Sequence, residues 1–277
     1  MKFAFSSNAY TNYSLKESIS DIAKIGYQGV EIMCDSPHAY PLLLNAKEIE
    51  DIKDEIFKND IQISNLNAFT LFAIGDTYHP SWIEEDLNYR KIRINHTINC
   101  LNLAKQLGAE NISVEPGGPV SNSYFKEKYF KIFIDSLSQV LPVAEEQKVK
   151  ILVEPEPGLL IENSDEFLKF MENFDSRFVG LNFDIGHFVC VNEDPSKLIY
   201  KLIEYIHHFH LADIKDNIHN HLIPGFGSID FKKVLTSIND ISFDGFITVE
   251  LYPYKDDPSG AALKALNYLK EVSFKLK

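Results

Sequence analysis

VKILVEPEPG (149–158) is an apolar run that ends in charged residues, and the same pattern returns three times further along the chain. Segments of four or more residues that are rich in Val, Ile, Leu and Phe predict strands that are buried on both faces. The later copies are FVGLNFDIGH (178–187), IHHFHLADIK (206–215) and GFITVELYPY (245–254). Each run ends in a residue that a buried strand avoids, namely Glu154, Asp184, His210 or Glu250. Because burying an unpaired charge is very costly, these residues must be paired or must hold a metal.

Two glutamates, one aspartate and one histidine form a hard, oxygen-rich ligand set with a single imidazole. Such a set suits Mn, Mg, Co or Zn and needs no cysteine. The pattern therefore predicts one bound divalent cation. The alternative is that these residues are helix N-caps or charges on the surrounding loops.

Predicted strands and amphipathic helices alternate along the whole sequence. The strands are predicted over 2–6, 27–33, 61–67, 110–115, 149–154, 178–184, 206–211 and 245–250. The helices are predicted over 14–25, 45–59, 86–107, 122–147, 163–174, 194–203, 230–239 and 258–275. Eight parallel β/α units close into a barrel through right-handed crossovers. We therefore predict a single (β/α)8 TIM barrel that spans residues 1–277, with the four polar strand ends gathered on one face.

Local signals agree with this division. Ser14 is followed by Glu17 three residues later, which predicts a capping box. Gly26, Gly108 and Gly180 are predicted in turns between helices and strands. A doubly wound open sheet is the alternative fold, but the segment after the first strand, SSNAYTNYS (6–14), lacks the glycine-rich phosphate loop of that fold.

Composition narrows the functional classes. A net charge of −13 with only three arginines argues against nucleic acid as a partner. The three cysteines are widely spaced and fit a reducing compartment, so a cytoplasmic location is expected. Neither a signal peptide nor a run of 18 apolar residues is apparent, so no membrane association is predicted.

The chain resembles the xylose-isomerase-like barrels of sugar isomerases and epimerases, a superfamily that also contains endonuclease IV. The resemblance covers essentially the whole chain. It is carried by LVEPEPG (152–158), NFDIGH (182–187), FHLADIK (209–215), HNHLIPGFGSIDF (219–231) and ITVELY (247–252).

The resemblance implies roles for the strand-end residues. Glu154, Asp184, His210 and Glu250 would bind one divalent cation, and Glu154 and Glu250 would also act as the acid–base pair. The reaction would be isomerisation or epimerisation of a ketose or keto-polyol through a cis-enediolate, with a small sugar or polyol as substrate. Which glutamate is the base depends on the stereochemistry of the substrate.

Other residues are candidates for substrate binding, each with a plainer alternative. His187 would contact substrate oxygens or cap a loop, and Glu156 would face the site or lie at the rim. Lys215 would neutralise negative charge or be an exposed loop lysine. Glu115 would approach the metal or substrate, or cap the turn at Gly117–Gly118.

His221 is also a candidate for substrate binding, and with His219 and His187 it forms a further candidate group. Three histidines suggest a second metal, and endonuclease IV holds an extra zinc at corresponding places, although with an aspartate where this chain has His219. Asn67 and Glu115 stand where the nuclease would need histidine, so its trinuclear cluster cannot be completed in the same way.

The long segment AFTLFAIGDTYHPSWIEED (68–86) carries Phe69, Phe72, Tyr78 and Trp82. It is predicted either to close over a ligand or to form a subunit contact, which leaves a homo-oligomer open. The competing functions are an endonuclease IV-type phosphodiesterase, a metal-dependent dehydratase that begins with the same proton abstraction, and a binding protein that has lost catalysis.

Overall fold

A computed structural model describes residues 1–120 and 123–274, with the side chain of Ser123 excepted. Eight strands form a closed barrel in the order β1, β10, β7, β6, β5, β4, β3, β2, and every pairing is parallel. The predicted TIM barrel is therefore confirmed. The barrel strands are β1 (Lys2–Ser6), β2 (Gly29–Met33), β3 (Gln62–Asn67), β4 (Asn111–Val114), β5 (Lys150–Val153), β6 (Val179–Asp184), β7 (Ile206–Leu211) and β10 (Phe246–Val249).

Helices follow the strands around the outside of the barrel. The longer ones are α1 (Leu15–Ile25), α2 (Ala46–Lys58), α3 (Leu87–Leu107), α4 (Lys126–Gln147), α5 (Ser164–Met171), α8 (Phe231–Asp240) and α9 (Pro258–Phe274). Two short helices, α6 (Ile185–Cys190) and α7 (Pro195–Lys201), complete the ring between β6 and β7. Their apolar faces cover the outer face of the barrel with a continuous hydrophobic core. None of the helices in the described part of the chain is long and apolar enough to cross a lipid bilayer.

The capping signals mark real helix ends. Ser14 and Glu17 form the predicted capping box at the start of α1. Gly26 and Gly108 end α1 and α3 in the left-handed conformation, where glycine carries no Cβ penalty. The prediction for Gly180 is wrong, because this residue lies inside β6. A Cβ atom there would come 2.6 Å from Cδ2 of His207 on the neighbouring strand, so close packing explains this glycine.

The connection after β7 contains a two-stranded antiparallel hairpin that the sequence pattern did not predict. Its strands are β8 (Asp213–Lys215) and β9 (Ile218–Leu222). Asp216 and Asn217 form the turn, and both have positive φ values, as a two-residue hairpin turn of type I′ requires. The hairpin rises at the carboxyl end of the barrel, beside the strand ends that carry the polar residues.

Polar residues occupy the interior of this barrel where bulky aliphatic residues are usual. Alternation along each strand places a second layer of buried side chains two residues below the strand ends. This layer contains Glu31, Asn65, Ser113, Asn182, His208 and Thr248. Two members of this layer reach the strand-end residues, because Asn182 hydrogen-bonds to Glu154 and Glu31 hydrogen-bonds to His210.

Candidate metal centre and active site

The four strand-end residues converge at the carboxyl end of the barrel. One ligand atom from each of Glu154, Asp184, His210 and Glu250 lies within 4.8 Å of the other three. All four side chains are buried, with at most 7% of any residue exposed. Register explains part of this convergence, because Asp184 on β6 pairs directly with His210 on β7.

Each carboxylate of the cluster has one oxygen held by a neighbour and one turned inward. Oε2 of Glu154 accepts a hydrogen bond from Asn182 (2.8 Å), and Oε1 of Glu250 accepts one from Asn8 (2.8 Å). The other oxygens, Oε1 of Glu154 and Oε2 of Glu250, lie 2.9 and 3.5 Å from Nδ1 of His210. The inward oxygens thus surround one point.

Asp184 shows the same division more sharply. Its Oδ1 accepts the backbone N–H of His187 (2.8 Å) and so caps α6. Its Oδ2 is buried and has no hydrogen-bond partner among the described residues. A buried carboxylate oxygen without a partner is costly, and a cation would satisfy it. The donor set and this orphaned oxygen fit a divalent ion.

The pKa directions follow from the crowding of charges. Burial raises the pKa of Glu250 to about 8, and the charges of Glu154, Glu31 and Asp184 add to this increase while His210 opposes it. Burial disfavours the imidazolium of His210, but Glu154, Glu31 and Glu250 outweigh it and hold its pKa well above the usual value. Crowded carboxylates thus raise the pKa values of Glu250 and His210. A bound cation would stabilise the same negative charges.

Three histidines form a second group beside the cluster. Nε2 of His219 lies 3.0 Å from Nε2 of His187 and 2.7 Å from Nε2 of His221. The outer nitrogens of two rings are held by carbonyls, because Nδ1 of His187 donates to Pro155 and Nδ1 of His221 donates to Glu250. Burial, with the charges of nearby histidines, lowers the pKa of His219 to about 3 and that of His221 to about 4. The group has the composition and spacing of a metal site.

A cavity of about 350 Å³ opens above both groups. Its polar floor includes Glu154, Glu250 and the three histidines, and Glu156 lies on one side. Its apolar wall contains Phe69, Phe72, Tyr78 and Tyr252. Among the described residues, no lysine or arginine lines it.

Glu156 is one of the sequence candidates that face the cavity. It is 4% exposed and accepts a hydrogen bond from the hydroxyl of Tyr78 (2.8 Å). Burial raises its pKa to about 7, against the opposing charge of His187. Glu156 therefore adds a carboxyl group outside the four-residue cluster.

Other candidates lie elsewhere. Lys215 is exposed at the end of β8 and does not line the cavity. Glu115 is fully buried and accepts the backbone N–H groups of Trp82 (3.0 Å) and Gly117 (2.6 Å), which is the turn-capping alternative. Trp82 is also fully buried and packs against Phe133, so it is not part of the cavity wall.

Sequence reasoning missed several residues that contact the cluster. Glu31 lies in the middle of β2, and Asn182 and His208 lie below the strand ends. Glu31 had a detectable signal, because it is a charged residue inside GVEIM, a strand that is buried along its whole length. Asn8, which holds Glu250, lies in the 3-10 helix after β1 and had no distinguishing pattern.

Comparison with known proteins decides the family. The family model described as xylose isomerase-like TIM barrel matches residues 19–272. The chain belongs to the xylose isomerase-like TIM barrel family. An inosose dehydratase of Clostridium beijerinckii is 25% identical over 279 residues, covering 93% of this chain and 89% of that protein.

Two solved structures share the complete fold of this family member. A D-tagatose 3-epimerase-like protein superposes with a TM-score of 0.82 and 25% identity, covering 100% of both chains. The IolI protein with a bound zinc atom superposes with a TM-score of 0.81 and 22% identity, covering 100% of this chain and 99% of that one. Proteins similar to this chain therefore include a dehydratase and an epimerase-like protein.

Proposed function

We propose that this protein is a divalent-metal-dependent isomerase or epimerase of an unphosphorylated ketose or keto-polyol. The observation that carries the proposal is the pair of buried glutamates, Glu154 and Glu250, whose inward oxygens flank the same nitrogen of His210 at the floor of the cavity. The IolI protein, which shares this fold, binds a zinc atom, and this supports a bound cation in this protein as well. Which of Mn, Mg, Co or Zn is used is left to metal analysis.

The chain's own residues supply the proton chemistry. Glu154, Asp184, His210 and Glu250 would hold the cation, which when bound would polarise a substrate carbonyl. One glutamate would remove the proton from the carbon next to that carbonyl, and the other would return a proton. Because Asn182 and Asn8 fix the outer oxygen of each glutamate, both carboxylates are held in place before a substrate arrives.

The cavity wall favours a neutral sugar or polyol. Phe69, Phe72, Tyr78 and Tyr252 would cover the carbon face of a substrate and exclude water from the reacting carbon. A phosphoryl group would instead enter a cavity that carries three glutamates and no lysine or arginine among its described lining residues. Such a cavity offers a phosphoryl group no basic side chain with which to pair.

A dehydratase is the second candidate, because the inosose dehydratase relative matches over most of both chains. Dehydration begins with the same proton abstraction and then needs an acid to protonate the departing hydroxyl, which leaves as water. Glu156 is a carboxyl group outside the four-residue cluster, and its pKa of about 7 suits that role. The endonuclease alternative is less favoured, because Asn67 and Glu115 still occupy the positions that would need histidine.

The test is solvent deuterium exchange into a panel of ketoses and inososes, with and without added Mn²⁺. The expected result is metal-dependent incorporation of deuterium next to the carbonyl, with recovery of an isomer or epimer. Recovery of a product that has lost water would favour the dehydratase. Absence of exchange into every compound with the metal-loaded protein would contradict both, and cleavage of abasic-site DNA would establish the nuclease instead.

A further inference from the structure

Glu31 is a fully buried carboxylate in the middle of β2, one layer below the strand ends. A charge in this position requires close partners. Its Oε2 accepts hydrogen bonds from Nε2 of His210 (2.6 Å) and from Nδ2 of Asn65 (2.7 Å). Its Oε1 accepts one from Nδ2 of Asn67 (3.2 Å).

The ring of His210 is held between two carboxylates. Nε2 faces Glu31, whereas Nδ1 faces Glu154 at 2.9 Å and Glu250 at 3.5 Å. A histidine presents one nitrogen to a metal and carries a proton on the other, and the partner of that proton decides which nitrogen is which. With Nε2–H donating to Glu31, the nitrogen left for a cation is Nδ1.

Asn67 links Glu31 to a second member of the cluster. Its amide nitrogen lies 3.2 Å from Oε1 of Glu31 and 3.3 Å from Oε1 of Glu250. A single carboxylate on β2 therefore supports His210 directly and Glu250 through one amide. Neither connection uses the oxygens that face the centre of the four-residue cluster.

We infer that Glu31 is a positioning residue that fixes His210 with Nδ1 toward the cation and strengthens cation binding at the four-residue cluster. The inference rests on the cation proposed for that site. Its basis is a carboxylate–histidine–metal arrangement, in which the carboxylate fixes the tautomer of the ring and makes the ligand nitrogen more basic. Loss of such a partner typically weakens metal binding by about 10- to 100-fold.

The experiment is a titration of the metal-free protein with Co²⁺. Binding is measured by calorimetry and by the visible absorption spectrum of the bound ion. Glu31→Gln keeps the shape and removes the charge. The expected result is Co²⁺ binding about 10- to 100-fold weaker than in the unmutated protein, with a changed absorption spectrum. Glu31→Asp keeps the charge at a shorter reach, and an intermediate affinity is expected.

Ser113→Ala is the matched control. Ser113 accepts a hydrogen bond from the same Asn65 (2.8 Å) in the same buried layer, so this variant also loses a buried polar contact but keeps Glu31. Its affinity and spectrum should equal those of the unmutated protein. A Glu31→Gln protein that binds Co²⁺ within about twofold of the unmutated protein, with the same spectrum, would overturn the inference. Loss of a complete equivalent of Co²⁺ in Glu31→Gln would also overturn it, because Glu31 would then be a ligand of a separate ion with His208 and His210.

A second measurement keeps the test decisive if Glu31→Gln does not fold. The ¹⁵N chemical shifts of His210 in the zinc-loaded, unmutated protein should show a protonated Nε2 and a metal-bound Nδ1, and the reverse assignment would overturn the inference. Because both measurements need no substrate, a protein that binds the metal as expected but turns over no sugar would contradict the proposed function alone.

Discussion

The two carboxylate oxygens of Asp184 have different roles, one in capping a helix and one at the candidate cation site. Oδ1 caps the short helix α6, and Oδ2 has no hydrogen-bond partner among the described residues. The cap holds the side chain in place, and one carboxylate oxygen of Asp184 lies within 4.8 Å of ligand atoms of Glu154, His210 and Glu250. The two readings of this residue, helix cap and metal ligand, are therefore compatible.

Glu154→Gln and Glu250→Gln should each reduce turnover by about 10²- to 10⁴-fold, because each removes a carboxylate that would carry a proton. The measurement is the rate of solvent deuterium incorporation into the best substrate of the panel. Glu172→Gln, at an exposed position after α5, is the control and should behave like the unmutated protein. Unchanged exchange rates in both glutamate variants would contradict the proposed acid–base pair.

The three-histidine group leads to a prediction about metal content. His187 and His221 donate through Nδ1, so in their neutral forms each presents an Nε2 lone pair to Nε2 of His219. Nε2 of His219 can carry only one proton, so it can donate to only one of these two nitrogens. If His187 carries a second proton, its Nε2 can donate to Nε2 of His219. Nε2 of His219 is then unprotonated, so Nε2 of His221 still has no donor. A second zinc would satisfy all three nitrogens.

We therefore expect one tightly bound divalent ion per chain and a second zinc that is taken up only when zinc is supplied in excess. His219→Ala should lose the second equivalent and keep the first. Elemental analysis after dialysis against graded zinc concentrations measures both. Identical uptake by His219→Ala and the unmutated protein would show that the group holds no metal, and three tightly bound zincs would favour a nuclease.

His207, on the outer face of β7, should make the free energy of unfolding depend on pH. Burial and the charge of Lys150 lower the pKa of His207 from 6.5 to about 4. The unfolded chain binds this proton below pH 6.5, whereas the folded chain resists it down to about pH 4. Stability should therefore fall as pH decreases through this window, and this contribution should be constant above it.

Urea unfolding between pH 7.5 and 4 tests this prediction. The free energy of unfolding of His207→Gln should decline less steeply with decreasing pH than that of the unmutated protein. The two proteins are compared relative to their own values at pH 7.5, which removes the effect of changed packing. Equal slopes would contradict the prediction.

The elements differ in how far they could be predicted from sequence. The strands β1 and β7 have the predicted bounds. The hairpin of β8 and β9 was missed because its strands are short and half polar and because its turn contains no glycine, although Asp216 and Asn217 are residue types that tolerate the positive φ values found there. Gly180 was placed in a turn because glycine favours turns, whereas packing against His207 is what requires it.

The site was predictable where a polar residue ends an apolar strand, and it was missed where the polar residue lies within a strand. Glu154, Asp184, His210 and Glu250 meet because parallel strands end on one face of a barrel. Glu31, Asn182 and His208 belong to the layer below, and their approach depends on barrel closure and strand register. These are long-range properties that no local pattern specifies.

The whole molecule carries a net charge of −13, and its cavity is lined by three glutamates and, among the described residues, by no lysine or arginine. We expect a phosphorylated form of the best substrate to react with a kcat/KM roughly 10- to 100-fold lower than the unphosphorylated form, because no lysine or arginine among the described lining residues would pair with the phosphoryl group. Steady-state kinetics on the matched pair measures this. A preference for the phosphorylated compound would contradict the prediction.

The hairpin is anchored independently of the barrel sheet. Asp213 at its base is buried and accepts the backbone N–H groups of Gly225, Gly227 and Ile229, while β9 carries His219 and His221 to the cavity. Selection acting on this segment can therefore alter part of the floor of the candidate active site while the barrel folds around an unchanged cluster. Relatives of similar overall identity but different reactions should be sorted by the residues they carry at positions equivalent to 219 and 221.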